Sequence, residues 1–308
     1  MRRVAQHACA PARRHAGAAR VALLALALMA GACATRVPVA NATDPPPVAR
    51  RPAQAVLADV VQQGALVIGR AAPGTVVTAE GRVLRLSPDG RFVFGIPRDV
   101  RDAVVVEVQA PGAQPAQQRI RVLPRDFPVE RIVGAPPATV RPSPEIAARI
   151  AREQAAVDAA RTRDDARDDY AMRFAWPVAG RISGRFGNQR VYVLPDGTDV
   201  AGAPHSGMDI AAPAGTPVRA PAAGIVSFAA PDLYLTGGTV LLDHGHGVSS
   251  NFLHLSRIDV VVGQRVEQGE VLGAVGATGR ATGPHLHWGM NWFGVRVDPL
   301  LVLDAPLP

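Results

Sequence analysis

The chain has 308 residues, 48% of them hydrophobic but 5% aromatic, with 30 glycines and 28 prolines. That length accommodates two ordinary domains, and a composition so rich in turn formers speaks for a mainly β protein rather than a helical bundle. The formal charge of +7 is not the footprint of a nucleic-acid binder: Arg2, Arg3, Arg13, Arg14 and Arg20 lie in an acid-free leader, and without those five +2 remains.

That leader, residues 1–32, reads as a signal peptide: an arginine-bearing stretch runs into the apolar segment "VALLALALMAGA", too short for a membrane span. Small residues then precede Cys33, and "AGACAT" resembles a bacterial lipobox, in which the cysteine is acylated and becomes the new N-terminus. Ala30 stands where leucine is more usual, so plain cleavage after an Ala-x-Ala is the competing reading. The expected location is the periplasm, with a lipid anchor in the outer membrane if Cys33 is acylated. Cys9 leaves with the leader, so the mature chain has one cysteine and forms no internal disulfide.

Residues 33–54 are rich in proline and poor in large apolar side chains, which predicts a disordered tether. Over residues 55–125 the apolar positions alternate with period two in "ALVIGR", "TVVTAEG", "RFVFGIP", "AVVVEVQA" and "QRIRVLP", predicting a small immunoglobulin-like β-sandwich. It contains no histidine or cysteine, so a spacer or binding role is expected of it rather than catalysis. A proline-rich linker over 126–142 follows. A helix is predicted over 143–172, with Ser143 as cap and Pro144 in its first turn. The charged run from Arg161 to Asp169 reads as a solvated face. Strand patterns return over 174–303 and predict a second, antiparallel β-domain.

All six histidines outside the leader fall in that last domain, between His205 and His287. His205 and Asp209 are four apart in a segment whose prolines and glycines exclude a helix, so in extended chain they share a face. His285 and His287, two apart, share a face of their own strand. Three His/Asp ligands from two strands with a fourth position left to water is the pattern of a catalytic zinc site, whereas a closed structural site would use thiolates. A lone H-x-H is also ordinary strand sequence, and Asp209 could simply cap a turn. His244 and His246 have the same spacing, but Gly245 and Gly247 interleave them and predict a hairpin turn with both rings toward water. His254, inside an apolar strand, is either a hydrogen-bonded core histidine or an inward-facing member of the site.

Over residues 174–303 the segments "HSGMDIAAPAGTPVRAPAAGIV", "GGTVLLDHGHG", "FLHLS" and "GQRVEQGEVLGAVGATGRATGPHLHW" occur in an order that resembles the lysostaphin-type, or LytM-type, zinc endopeptidases of bacterial peptidoglycan. The resemblance implies His205, Asp209 and His287 as ligands of zinc (Zn2+) and His254 with His285 as the catalytic pair. It also implies peptidoglycan stem peptides as substrate, cleaved at cross-links between D-alanine and diaminopimelate. The alternative it leaves is a non-catalytic, peptidoglycan-binding activator of a cell-wall amidase, with that amidase or division proteins as partners. Three departures from the family pattern stand out. Trp288 is followed by Gly289 rather than glutamate, Phe252 stands where a tyrosine is common, and the segment before His205 is long enough to line or cover a groove. Ser206 is expected to face away from the site. A lipoyl- or biotinyl-type carrier, suggested by similar hammerhead sequences, is excluded because the chain has no lysine.

Overall fold

The computed structural model describes residues 54–304. The predicted signal peptide, the lipidation site at Cys33 and, Gln54 apart, the tether lie outside the described residues. The segment read as a sandwich forms β1 (Val60–Gln62), β2 (Leu66–Arg70), β3 (Val76–Ala79), β4 (Arg82–Val83), β5 (Arg91–Gly95), β6 (Ala103–Gln109) and β7 (Ala116–Leu123). β1, β7, β6, β3 and β4 are bonded in that order into one sheet, and β2 pairs with β5 in a second. The alternation of β6 sets its two faces: Val104, Val106 and Val108 are buried, and Val105, Glu107 and Gln109 are exposed. β5 is buried from Phe92 to Gly95, because its far side meets the C-terminal domain. Phe94 packs edge-to-face on Trp292 with ring centroids 6.4 Å apart, and a Cβ on Gly95 would stand 2.9 Å from Val297. The sandwich core therefore continues into the core of the rest of the chain.

The predicted linker over 126–142 contains β8 (Val129–Val133) and the short helix α1 (Pro137–Val140). Proline content concealed this because β8 lies at the edge of its sheet, where alternate residues stay solvated. Helix α2 (Pro144–Ala160) starts as predicted, with the Ser143 hydroxyl accepting from the Ile146 N–H. It stops at Ala160, twelve residues before the predicted end at 172. Asp164, Asp165, Asp168 and Asp169 would oppose the negative end of the helix dipole. Released from the helix, this segment packs on a β-hairpin, with a single turn of 3-10 helix at Asp169–Ala171.

The remaining chain forms β9 (Arg181–Gly184), β10 (Gln189–Val193), β11 (Asp199–Pro204), β12 (Met208–Ala211), β13 (Pro217–Arg219), β14 (Gly224–Leu233), β15 (Gly237–Gly245), β16 (Val248–Leu255), β17 (Arg257–Ile258), β18 (Arg265–Val266), β19 (Val271–Ala274), β20 (His285–Trp292), β21 (Val295–Val297) and helix α3 (Pro299–Asp304). Eight of these strands make one antiparallel sheet, ordered β18-β14-β15-β16-β20-β12-β9 with β21 on β20. The interior strand β15 is buried along its whole length. β8, β10 and β11 form a separate three-stranded sheet, and β13, β19 and β17 another. The fold is thus mainly β, with an antiparallel C-terminal domain as predicted. Among the described residues no helix is long and apolar enough to cross a membrane.

Two readings of the sequence are corrected here. The Arg161–Asp169 run is solvated on one side only: Arg163, Asp164 and Asp168 are exposed, but Arg161 and Asp169 are buried, Arg167 bonds the carboxylates of Asp169 and Asp243, and Arg265 reaches Asp169 at 2.7 and 2.8 Å. Nor do His244 and His246 splay into water at the β15–β16 turn. The same segment covers that turn: the His246 N–H donates to the Asp165 carbonyl at 2.9 Å, and the His246 ring lies 4.8 Å from that of Tyr170. Gly245 is required beneath it, since a Cβ would fall 1.8 Å from the Arg167 carbonyl oxygen.

His244 is fully buried, its Nδ1–H donating to the Ala223 carbonyl at 2.7 Å and its Nε2 bonded to the Ser250 hydroxyl at 2.7 Å. Both nitrogens are satisfied in the neutral ring, and burial pushes its pKa from 6.5 down to about 4. A histidine depressed in the folded state contributes full stability above its ordinary pKa and loses it as pH falls toward the folded value. Between pH 6.5 and about 4 the loss should approach about 3 kcal/mol. In urea unfolding at pH 7 and pH 4.5, the wild-type chain should lose more stability on acidification than His244→Gln, which cannot titrate. Equal losses would contradict this account.

Candidate active site

The site is assembled by pairing across three antiparallel strands. Asp209 on β12 lies directly opposite His287 on β20, so both side chains leave the same face of the sheet. His205 precedes β12 across a bend at Ser206 and Gly207 rather than sharing one straight strand with Asp209. The bend still brings them together: His205 Nε2 is 3.1 Å from Asp209 Oδ1 and 3.0 Å from His287 Nδ1, and His287 Nδ1 is 2.8 Å from Asp209 Oδ1. Ser206, expected to face away, lines the groove at this bend.

This donor set fits a divalent ion. His205 Nδ1–H donates to the Arg185 carbonyl at 3.0 Å, which leaves Nε2 as a bare lone pair aimed at another acceptor, the Asp209 carboxylate. Two acceptors face each other stably only across a cation or an added proton. The 2.8 to 3.1 Å spacings approach the ligand separation of about 3.3 Å set by tetrahedral zinc with bonds of roughly 2.0–2.1 Å. All three residues are buried. Burial raises the Asp209 carboxyl, but the flanking His205 and His287 rings outweigh it and hold the group well below the ordinary range. Burial likewise brings His287 down to about 3 against the pull of Asp209. Both groups are therefore deprotonated at neutral pH, as ligands must be.

His254 reaches the site by a route no spacing rule provides. On β16, Asn251 and Leu253 pair with Gly289 and His287 and face the site, so strict alternation would turn His254 away. Its backbone instead adopts φ +64, the left-handed region disfavoured for a residue with a Cβ. That twist brings the ring to 4.8 Å from His285 and 6.3 Å from His287. The Nδ1–H of His254 donates to the Thr278 carbonyl at 2.7 Å and that of His285 to the Gly283 carbonyl at 2.8 Å, so both rings are anchored and present Nε2. Burial first, then repulsion from His285, lowers His254 to about 4. All five histidine and aspartate positions singled out in the sequence thus converge. A cavity of about 640 Å³, walled in part by Tyr192 on β10, opens beside His205, His254 and His287. The long segment before His205 supplies this wall through the β10–β11 hairpin.

Residues 203–299 match the family described as Peptidase family M23. The crystal structure of a peptidase M23 from Pseudomonas aeruginosa superimposes with a TM-score of 0.61 and 34% identity, covering 79% of this chain and 95% of that one. The chain belongs to peptidase family M23. A peptidoglycan DD-endopeptidase of Vibrio cholerae, ShyA, is 38% identical over 128 residues, which are 42% of this chain and 28% of that protein. The DD-carboxypeptidase/endopeptidase Mpg of Neisseria meningitidis is 45% identical over 98 residues, 32% of this chain and 22% of that protein. The chain thus matches about a quarter of the length of these curated relatives.

Two residues that support the site, both N-terminal to the matched segment, were missed by the sequence reading. Arg190 on β10 bonds the second oxygen of Asp209 at 2.5 Å, fixing the carboxylate from outside the ligand set. Gly184 on β9 lies opposite Asp209, and a Cβ there would be 2.6 Å from Asp209 Oδ2 and 3.1 Å from the His205 ring. A Gly184→Ala chain should fold yet bind zinc about 10–100-fold more weakly, the cost typical of a disturbed outer partner. Competition with a chelating dye measures this, and unchanged affinity would count against the packing argument. Neither residue carries a sequence signal, because its role depends on which strands become neighbours. The Gly289 departure has a local reason: Asn251 occupies the space, and a Cβ on Gly289 would approach its amide to 2.7 Å.

Proposed function

We propose that this chain is an exported zinc metalloendopeptidase that hydrolyses peptide cross-links of bacterial peptidoglycan, at the bond between D-alanine and diaminopimelate. Its domains are a leader over 1–32, a tether, a sandwich packed on the catalytic domain and an M23 domain over 174–303, anchored to the outer membrane through Cys33. The observation that carries this reading is the meeting of His205 Nε2, Asp209 Oδ1 and His287 Nδ1 within 3.1 Å of one another, beside two histidines with anchored rings. The naming of ShyA as a peptidoglycan DD-endopeptidase and of Mpg as a DD-carboxypeptidase/endopeptidase supports the substrate class.

His205, Asp209 and His287 would hold the metal, which when bound supplies a Lewis acid and brings the pKa of a coordinated water to about 7. His254, neutral at pH 7 with Nδ1–H committed to Thr278, takes the proton of the attacking water at Nε2. His285, its ring anchored through Nδ1 to the Gly283 carbonyl and its Nε2 3.8 Å from Asp209, stands beside the oxygen that becomes negative. The proton on His254 then leaves with the departing amine. The walls formed by Tyr192 and Arg190 exclude water from one side of the peptide.

The purified mature protein should release cross-linked fragments from isolated peptidoglycan with zinc, and none after chelation, with release restored by added zinc. Mass spectrometry of the new termini identifies the bond. Absence of release with zinc bound would refute the hydrolase and leave the non-catalytic amidase activator.

A further inference from the structure

Arginine supplies every basic side chain of this protein besides histidine, and most of those that are not exposed are paired. Among the described residues, each arginine without a carboxylate at ion-pair distance is exposed, with three exceptions: Arg98, Arg280 and Arg296. All three line the cavity of about 640 Å³ beside His205, His254 and His287. Asp99 is the sole carboxylate among its lining residues.

Neutral groups hold these guanidinium groups without neutralising them. Arg98 Nε donates to the Gly187 carbonyl at 2.7 Å, and its guanidinium lies 4.5 Å above the Phe127 ring. Arg280 Nη1 donates to the Thr139 carbonyl at 3.1 Å, and its guanidinium lies 4.6 Å over Tyr192. Arg296 Nη1 donates to Asn291 Oδ1. Each guanidinium has five N–H donors, so most of each fork is left free. A partly buried cation with no carboxylate at ion-pair distance is costly, and burial holds both Arg280 and Arg296 below the ordinary arginine value, the charge of Asp158 offsetting only part of it at Arg296. The fold gains no ion pair in return.

Their placement follows the groove. Asn291 leaves β20 on the face of His285 and His287, so Arg296 stands at one end of the row that carries the site. Arg280 lies in the loop before His285 and lines both the large cavity and the smaller one that contains His285 and Asp209. Arg98 projects from the loop after β5, so the N-terminal sandwich reaches the same groove. Planar forks of this kind match carboxylates in two-point contact.

We propose that Arg98, Arg280 and Arg296 are specificity-determining anchors for free carboxylates of the bound peptide, so that the groove selects an anionic peptide with acidic groups flanking the scissile bond. This rests on the peptidase reading above and adds the charge its substrate must carry.

Two synthetic cross-linked peptides test it, identical except that the side carboxylates of one are converted to primary amides. Binding is measured by titration calorimetry and cleavage by mass spectrometry, with the full zinc-loaded chain. The wild-type protein should bind the carboxylate form about ten-fold or more tighter and show a matching preference in kcat/KM, the weight of one charge-assisted pair. Arg280→Gln and Arg296→Gln should each raise KM for the carboxylate form while leaving the amide form unaffected, so that the preference shrinks. A merely structural arginine would weaken both substrates alike. Equal treatment of the two peptides by the wild-type protein, or full preference in the variants, overturns the proposal. Cleavage without preference would leave the peptidase standing and remove the anchors. Preferential binding without cleavage would do the reverse.

Discussion

An Asp209→Asn chain is expected to lose zinc and hydrolysis together. Asp209 is the hub of the site, 3.1 Å from His205 Nε2, 2.8 Å from His287 Nδ1 and 2.5 Å from Arg190 Nη2. The substitution keeps the volume of the side chain and removes its charge. The metal then loses an anionic ligand, and the Arg190 guanidinium keeps only the more distant Glu130, at 3.8 Å. Loss of outer partners alone costs about 10–100-fold in affinity, so loss of a ligand should exceed about 100-fold. The apoprotein should also weaken, by about 3–5 kcal/mol, because one partner of a buried charge pair has gone. Two measurements separate these effects. Metal analysis after dialysis should find zinc in the wild-type chain and none in Asp209→Asn. Added zinc should raise the melting temperature of the wild-type protein and leave that of the variant unchanged, since a ligand stabilises only the state that binds it. A variant that retained stoichiometric zinc and full hydrolysis would remove Asp209 from the metal site and with it the proposed chemistry.

What could be read from the sequence was whatever depends on local period. The strands of the sandwich follow from alternation such as that of β6, and the start of α2 follows from Ser143 and Pro144. The pairing of His285 with His287 on one face needs no more than the two-residue repeat, and family resemblance supplied their partners. What could not be read depends on which distant segment lies on top. His244 and His246 sit in a glycine-rich turn that would be wet in isolation, and residues 163–171 bury it. The same contact explains why α2 ends early and why the charged run after it is solvated on one side only. Arg190 and Gly184 matter only because β10 and β9 come to flank β12. His254 shows the limit most sharply: its type and position were legible, but its direction depends on a single backbone angle.

That angle makes the second large effect separable from folding. Replacing His254 by alanine should lower kcat by about 10²–10⁴-fold, the usual weight of a positioned general base. Zinc content should stay at the wild-type level, because the His254 ring touches none of the three ligand atoms and its Nδ1 is committed to Thr278. His254→Gly should lose the same activity but recover stability relative to His254→Ala, since glycine adopts φ +64 without penalty where a Cβ costs on the order of 1 kcal/mol. A His285→Ala chain should also retain zinc and lose kcat. If the two rings act on the same proton transfer, the double variant should be little worse than the more damaging single one, because removing either member already disables the unit. Wild-type kcat in His254→Ala would make the strained backbone a packing accident and leave proton transfer to His285 alone. Losses that simply multiply in the double variant would show that each histidine serves a separate step.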